Sequence, residues 1–175
     1  MIWFVRHGET DFNKFGITQG QLDTSLNKAG IEQSKEVAKQ LKDVSFDIAF
    51  CSTLIRADQT LQEILKYHNN LNVIYDKRLI EHKRGNIVGR KNSKEDYQKF
   101  FTNPHAYGGE NEEDIYNRVF SFVQDLSKYK GLNVLIVSHG GISKYFKFIL
   151  ENKKLNQEKP ISTNIQNCGV MNFDF

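Results

Sequence analysis

Short, unbroken apolar runs alternate with segments of helical periodicity along this chain, and this alternation constrains the fold more than any other feature. Runs with the length and composition of strands buried on both faces occur at 2–5, 47–51, 72–75 and 134–137. Apolar residues recur at helical spacing over 27–42, 52–65, 111–129 and 142–150. Strands that alternate with helices predict a mostly parallel sheet covered on both faces, an α/β fold arranged as a three-layer α/β/α sandwich.

The caps and buried faces of the helices can also be predicted. Asn27 has the residue type of an N-cap, and Ser52 is expected to cap the next helix. The predicted buried faces are Ile31, Val37, Ala38 and Leu41 in the first helix, Ile55, Leu61, Ile64 and Leu65 in the second, and Ile115, Val119, Phe122, Val123 and Leu126 in the third. A weaker last strand is expected over 168–173.

The length of 175 residues predicts one domain over 1–175, because such a chain can bury a sufficient core without disulfides or a structural metal. From 78 to 109 the periodicity weakens, and glycines punctuate a stretch rich in Lys, Asn and Tyr. We therefore expect a loop-and-helix excursion at about 78–110 that lies over the active site.

Charge and composition exclude several classes of protein. The 24 basic and 21 acidic residues give a net charge of only +3, without a dense basic block, so no nucleic-acid partner is predicted. No apolar run approaches the ~18 residues of a membrane span, and the first residues lack a signal peptide, so no membrane association is predicted. Cys51 and Cys168 lie in apolar runs, which favours reduced thiols and a cytoplasmic location.

Two predicted strands are each followed by a histidine and a glycine. The first leads into Arg6-His7-Gly8, and the strand at 134–137 leads into Ser138-His139-Gly140. Arg56 follows a third strand, in the first turn of a helix. Ligands gather outside the carboxyl ends of the strands in such sheets, and guanidinium groups match phosphate oxygens. Two arginines and two histidines at one sheet edge therefore predict a phosphate pocket.

Five sequence blocks occur in the order and at the intervals typical of one family. They are Arg6-His7-Gly8-Glu9-Thr10, Ser52-Thr53-Leu54-Ile55-Arg56-Ala57-Asp58-Gln59-Thr60, Leu79-Ile80-Glu81, Gly109-Glu110 and Val137-Ser138-His139-Gly140-Gly141. Together they resemble the histidine phosphatase superfamily, whose members have the phosphoglycerate-mutase-like fold. The resemblance covers nearly the whole chain.

The resemblance implies roles for individual residues. His7 matches the nucleophile that forms a phosphohistidine, its other ring nitrogen donating to a fixed backbone acceptor. Glu81 matches the general acid. The residues that match phosphoryl or substrate ligands are Arg6, Arg56, His139, Asn13, Gln19 and Gly140. Glu110 has two open interpretations: a carboxylate that orients basic groups of the pocket, or an acidic residue at a helix N-terminus.

The implied activity is hydrolysis of a small phosphorylated metabolite. A phosphoglycerate mutase or related phosphotransferase is the alternative, but the chain lacks the long insertion of those mutases and the Arg-Arg pair that grips the substrate carboxylate. A catalytically inactive module that binds a phosphorylated ligand is a third hypothesis. The oligomeric state stays open, as does the role of the basic loop residues His82, Lys83, Arg84, Arg90 and Lys91, which could face an anionic substrate or only solvent.

No cofactor and no metal are predicted. His7, His139 and Glu81 would be two imidazoles and one carboxylate, which is a possible zinc set. Arginines at the same sheet edge would repel a divalent cation. A serine hydrolase is also excluded, because the sequence contains no Gly-x-Ser-x-Gly motif.

Overall fold

The computed structural model describes residues 1–163 and 165–174, in which five strands form one sheet. The strands are β1 (Ile2–Arg6), β2 (Ile48–Cys51), β3 (Val73–Tyr75), β4 (Val134–Ser138) and β5 (Val170–Phe173). Their spatial order is β3-β2-β4-β1-β5. The pairs β1 with β4, β2 with β4 and β2 with β3 are parallel, whereas β5 is antiparallel to β1. The prediction of a mostly parallel sheet is therefore confirmed.

Helices connect these strands. The α-helices are α1 (Asp11–Lys14), α2 (Lys28–Leu41), α3 (Ile55–Leu65), α4 (Lys94–Thr102), α5 (Glu112–Leu126) and α6 (Gly140–Leu150). Short 3₁₀ helices span Lys77–Leu79, Gly85–Ile87, Pro104–Tyr107 and Ser127–Tyr129. None of the helices in the described part of the chain is long and apolar enough to cross a membrane.

The sheet has an apolar core on each face, which explains why its central strands are unbroken apolar runs. Val134 and Ile136 of β4 pack in a cluster with side chains of α5 and α6. Leu135 and Val137 of the same strand point the other way and pack with side chains of α2 and α3. Successive side chains of a strand face opposite sides, so both faces of β4 are buried. The three-layer α/β/α sandwich is confirmed.

Two details of the predicted helices are wrong. Ser52 does not cap α3, since the N-cap position is Leu54, which offers no side-chain acceptor. Instead, Asp23 Oδ1 accepts a 2.7 Å hydrogen bond from the Ile55 amide. Ile31 and Ile55 are 36% and 38% exposed, outside the buried faces of their helices. Helical spacing places a residue on a face but does not show how far the neighbouring element extends over it.

The other predicted boundaries are correct within about three residues. Asn27 is the N-cap of α2, and its Oδ1 accepts a 2.8 Å hydrogen bond from the Gly30 amide. The last strand begins at Val170 rather than at 168, because Cys168 has a left-handed φ of 56°. Cys51 is buried and Cys168 is half-buried, and neither is part of a disulfide, as predicted.

The segment between Arg78 and Glu110 consists of short helices and loops. Its path depends on Gly85, which has a φ of 54° and whose α-carbon lies against the backbone carbonyl of Tyr107. A Cβ at this position would overlap that carbonyl oxygen. Glycine is thus required where the two halves of the segment cross.

Candidate active site

The two predicted histidines lie side by side at one edge of the sheet. Strands β1 and β4 are adjacent and parallel, with Arg6 in register with Ser138, so the residues that follow each strand are neighbours. The ring centroids of His7 and His139 are 5.0 Å apart. Arg56, at the start of α3, joins them because β2 lies on the other side of β4. We refer to Arg6, His7, Arg56 and His139 as the basic cluster.

His7 is held as a neutral imidazole in one tautomer. Its Nδ1 donates a 2.7 Å hydrogen bond to the carbonyl of Gly8, which leaves Nε2 with a lone pair. Arg56 Nε donates to that nitrogen at 3.3 Å. Burial lowers the pKa of His7 well below its usual value, and the charges of Arg56 and Arg6 lower it further. One ring nitrogen is thus anchored to a local backbone carbonyl, and the role of the other as a nucleophile stays a prediction.

Arg56 is almost completely buried, and backbone oxygens hold its guanidinium. Nη1 donates to the Leu22 carbonyl at 2.9 Å and Nη2 donates to the Gly20 carbonyl at 2.8 Å. The amide of Gln19 is best satisfied when its oxygen also accepts from this guanidinium, with Arg56 Nη1 at 3.0 Å and Nε at 3.1 Å. Burial lowers the pKa of Arg56 to about 10, so the side chain stays charged at neutral pH.

Arg6 and His139 each have a buried nitrogen without a hydrogen-bond partner among the described residues. Arg6 Nη1 donates to the Ile165 carbonyl at 2.8 Å, but Nε has no partner. His139 Nε2 lies 2.7 Å from Ser52 Oγ, whereas Nδ1 has none. Burial lowers the pKa of His139 well below its usual value. Buried polar atoms without partners are rare and costly in a finished core, and two of those among the described residues belong to the basic cluster.

Glu81 faces the basic cluster from the loop after the first 3₁₀ helix. Its Oε2 accepts a 3.1 Å hydrogen bond from the Gly141 amide, at the start of α6, and its Oε1 accepts from the His82 amide at 2.7 Å. The backbone carbonyl of Glu81 is fixed by Gln21 Nε2 at 2.9 Å and Arg118 Nη2 at 3.2 Å. The carboxyl group is therefore positioned through both its side chain and its backbone.

Glu110 contacts the same loop. It forms a two-point ion pair with Arg118, with Nε to Oε1 at 2.7 Å and Nη2 to Oε2 at 3.0 Å. Its Oε2 also accepts from the Lys83 amide at 2.8 Å. Asn111, not Glu110, is the N-cap of α5. Glu110 therefore orients Arg118, which donates to the Glu81 carbonyl but does not line the cavity, so the role of Glu110 in the pocket stays a prediction.

A cavity of about 720 Å³ opens beside these residues. Arg6, Glu81 and Gly140 are among its lining residues, as are Arg84 and Lys144. His7 and His139 do not line it, because they are only 3% and 0% exposed. The cavity therefore has the size of a small-molecule site, and Arg6 and Gly140, the sequence neighbours of the two histidines, line it.

Asn13 and Gln19 contact the site indirectly. Asn13 Oδ1 accepts from the Thr10 amide at 3.1 Å in the capping box of α1. Gln19 contacts Thr10 and Arg56 but does not line the cavity. Direct phosphate contacts from these two side chains stay a prediction.

The sequence reasoning missed several residues that support the site. Asn167 Nδ2 donates to the His7 carbonyl at 3.0 Å, and Thr60 Oγ1 accepts from the Gly8 amide at 3.0 Å. Ser52 was assigned a helix cap but lies against His139. Lys144 had no signal beyond its place on the polar side of a helix. Thr60 lies within one of the family blocks, whereas Asn167 lies in a stretch without periodicity and only the folded chain brings it here.

The basic loop residues separate into different environments. His82 is buried between Phe100 and Phe101, with ring centroids at 5.6 and 5.9 Å, and its Nε2 donates to the Glu110 carbonyl. Arg84 faces the cavity. The exposed residues are Lys83, Arg90 and Lys91, of which Arg90 lies 3.8 Å from Asp96.

The described residues contain no group of three or more His, Cys, Asp or Glu side chains arranged to hold a metal ion. His7 and His139 have Arg6 and Arg56 as neighbours, and these charges lower the pKa of both imidazoles. The same charges would oppose a divalent cation. Catalysis without metal stays a prediction.

The family model of the histidine phosphatase superfamily, branch 1, matches residues 2–175, and the chain belongs to this superfamily. The superfamily and the fold that the sequence blocks predicted are therefore confirmed, whereas the roles of the individual site residues stay predictions.

Named relatives include both phosphatases and mutases. Phosphoglycerate mutase-like protein 4 of Arabidopsis thaliana is 35% identical over 79% of this chain and 65% of its own length. Phosphoserine phosphatase 1 of Hydrogenobacter thermophilus is 34% identical over 77% of this chain and 68% of its own length. A 2,3-bisphosphoglycerate-dependent phosphoglycerate mutase of Rhizobium meliloti is 31% identical over 92% of this chain and 83% of its own length. The chain thus spans about two thirds of the first two relatives.

Among solved structures, the alpha-ribazole phosphatase from Shigella flexneri superposes with a TM-score of 0.76. It is 31% identical in sequence, and the match covers 89% of this chain and 82% of that one.

Proposed function

We propose that this protein is a phosphomonoesterase that hydrolyses a small phosphorylated metabolite through a phosphohistidine on His7, without a metal ion. The observation that carries the proposal is the neutral imidazole of His7. Its Nδ1 is bonded to the Gly8 carbonyl, and its Nε2 lies within the basic cluster. A nucleophile with an anchored tautomer and positive neighbours suits attack on a phosphate dianion.

In the first step, His7 Nε2 forms a bond to phosphorus as the bond from phosphorus to the ester oxygen breaks. Glu81 gives its proton to the departing oxygen, and the alcohol leaves. In the second step, Glu81 takes a proton from water, whose oxygen bonds to phosphorus as the bond to Nε2 breaks. Inorganic phosphate leaves, and both residues return to their starting states.

The basic cluster stabilises the charge during both steps. The loose transition state of phosphoryl transfer places negative charge on three phosphoryl oxygens, which favours fixed donors over further covalent chemistry. The unpartnered atoms Arg6 Nε and His139 Nδ1 offer hydrogen-bonding capacity for the phosphoryl group, and Arg56 Nε donates to His7 until phosphate replaces that partner. Their burial strengthens each interaction, because little solvent competes.

The alternative is a mutase, and the similarity to the Rhizobium meliloti mutase over 92% of this chain favours keeping it. A mutase must return the phosphoryl group from His7 to a bound product rather than to water. The missing Arg-Arg pair argues for hydrolysis.

The test is an assay with EDTA present. We expect release of inorganic phosphate from p-nitrophenyl phosphate and no conversion of 3-phosphoglycerate to 2-phosphoglycerate. Efficient interconversion of the two phosphoglycerates with little phosphate release would favour the mutase. Activity that EDTA abolishes and magnesium or zinc restores would contradict the metal-free mechanism.

A further inference from the structure

We propose that Arg84 and Lys144 form a second anion subsite, so that the substrate is a phosphate monoester whose organic part carries another oxyanion, either a carboxylate or a second phosphate. The inference rests on the proposed phosphatase function, because the scissile phosphate must occupy the basic cluster at His7. It concerns two side chains that the proposed mechanism does not use.

Arg84 lines the cavity and has donors to spare. Its guanidinium carbon lies 5.2, 5.5 and 5.1 Å from the ring centroids of Tyr97, Phe100 and Phe101. The rings stabilise the positive charge without accepting conventional hydrogen bonds. Among the described residues, the buried Arg84 Nη1 has no hydrogen-bond partner, and no carboxylate lies within ion-pair distance of this side chain. A preorganised guanidinium with unused donors suits an oxyanion.

Lys144, on α6, lines the same cavity. Its ammonium lies 4.7 Å from the ring centroid of Tyr145, and no carboxylate within the described residues forms an ion pair with it. Burial lowers the pKa of Lys144, Glu112 partly offsets this, and the charge of Arg84 lowers it further. Arg84 and Lys144 are thus close enough to repel each other, and an anion between them would relieve that repulsion.

The carboxylates that line the cavity already have partners of their own. Glu9 Oε1 accepts a 2.8 Å hydrogen bond from Asn27 Nδ2. Glu81 accepts from the amides of Gly141 and His82. Neither is paired with Arg84 or Lys144, so the positive charge on this wall is available to a ligand.

Gly20 contacts both Arg84 of the subsite and Arg56 of the basic cluster. The stem of Arg84 packs so closely on Gly20 that a Cβ there would lie 3.1 Å from Arg84 Cβ. The carbonyl of Gly20 accepts from Arg56 Nη2 at 2.8 Å. Arg6 and Glu81 line the same cavity of about 720 Å³ as Arg84 and Lys144, so one small molecule in it can contact the edge of the basic cluster, the proposed general acid and the subsite.

The experiment measures kcat/KM on substrates matched except for the second acid. The carboxylate pair is 3-phosphoglycerate with glycerol 3-phosphate, and the phosphate pair is fructose 1,6-bisphosphate with fructose 6-phosphate. The variants are Arg84→Met and Lys144→Met, which keep side-chain length and remove the charge. Lys83→Met is the control, because Lys83 is the exposed neighbour of Arg84. p-Nitrophenyl phosphate, which has no second acid, is the reference substrate.

We expect the wild type to prefer the acid-bearing member of at least one pair by about tenfold or more. The pair that shows the preference identifies carboxylate or phosphate as the second group. Each subsite variant should lose about 10- to 100-fold on the favoured acid relative to p-nitrophenyl phosphate, the usual cost of removing a charged hydrogen-bond donor. Lys83→Met should show no such selective loss. If Arg84→Met does not fold, the selective loss in Lys144→Met decides whether the subsite exists.

Turnover of p-nitrophenyl phosphate without a preference in either pair would overturn the subsite and leave the phosphatase function standing. Equal losses on all substrates in both variants would do the same. If the wild type hydrolyses none of the probes, the phosphatase function fails instead. Calorimetric titration then tests the subsite by itself: 3-phosphoglycerate or fructose 1,6-bisphosphate must bind more tightly than its partner, and Lys144→Met must remove the difference.

Discussion

The carboxylate of Glu81 accepts a hydrogen bond of 3.1 Å from the backbone amide of Gly141, and a Cβ atom added to Gly141 would overlap that carboxylate. Glu81 can therefore reach the start of α6 only because residue 141 is glycine. The second glycine after His139 thus has a positioning role for the proposed general acid, besides starting a helix.

Gly141→Ala should displace Glu81 and reduce turnover of alkyl phosphates by about the factor seen when the acid itself is removed. The matched comparison is the double variant Gly141→Ala with Glu81→Gln. If alanine acts through Glu81, the double variant loses little beyond Glu81→Gln alone, since the two changes remove one interaction. Fully additive losses in kcat/KM would show that Gly141 acts elsewhere.

Glu81→Gln should lower kcat on alkyl phosphates by roughly 10²–10⁴-fold, the usual range for general acid catalysis. The loss on p-nitrophenyl phosphate should be much smaller, because nitrophenolate leaves without a proton. Steady-state kinetics on both substrates test this. Equal losses on the two would exclude Glu81 as the acid.

Arg56→Lys should weaken inhibition by phosphate and vanadate about tenfold or more. Two nitrogens of Arg56 are bound to the carbonyls of Leu22 and Gly20, so the guanidinium is held in one orientation that an ammonium cannot reproduce. Inhibition constants against p-nitrophenyl phosphate measure the effect. Arg90→Lys, at an exposed position, is the control, and equal inhibition of wild type and Arg56→Lys would remove Arg56 from the phosphate site.

Stability should fall as the pH drops below about 6.5. Burial lowers the pKa of His7 and His139, and it lowers that of His82 to about 3. Below their ordinary pKa the unfolded chain takes up protons that the folded chain does not, so the free energy of unfolding decreases with falling pH. Each histidine contributes about 1.4 kcal/mol between pH 7.5 and 5.5, or about 4 kcal/mol together.

Urea unfolding at these two pH values measures the difference. His82→Gln should reduce it by about a third, because one of the three proton acceptors is removed from the unfolded chain. Equal or greater stability at pH 5.5 in the unsubstituted protein would contradict the burial of neutral histidines.

The sequence predicted the parts of this protein that local patterns encode. Central strands such as β4 are unbroken apolar runs because both faces are buried. Arg6 is the last residue of β1, and His7 and His139 follow strands that end at the same sheet edge. Contacts between segments far apart in sequence could not be predicted in this way. The amide of Asn167 reaches the His7 carbonyl across 160 residues, and no periodicity marks it.

The wrong predictions have the same cause, namely contacts between segments far apart in sequence. Ser52 has the residue type of a helix cap, but its hydroxyl lies 2.7 Å from His139 Nε2 because β2 and β4 are adjacent. The sequence left two interpretations open for Arg84, a contact to an anionic substrate or a solvated loop charge. Its place over three aromatic rings on a cavity wall is set by the tertiary packing of α4, and that placement underlies the proposed subsite.

The central claim is that His7 carries the phosphoryl group, and trapping the intermediate tests it most directly. The protein is mixed with a ³²P-labelled phosphate ester, quenched within milliseconds in alkali, and the label is located by peptide mass spectrometry. We expect an acid-labile, base-stable label on His7, formed and lost at rates compatible with turnover and absent in His7→Ala. Turnover at the wild-type rate by a folded His7→Ala protein, or a label on another residue, would contradict the account.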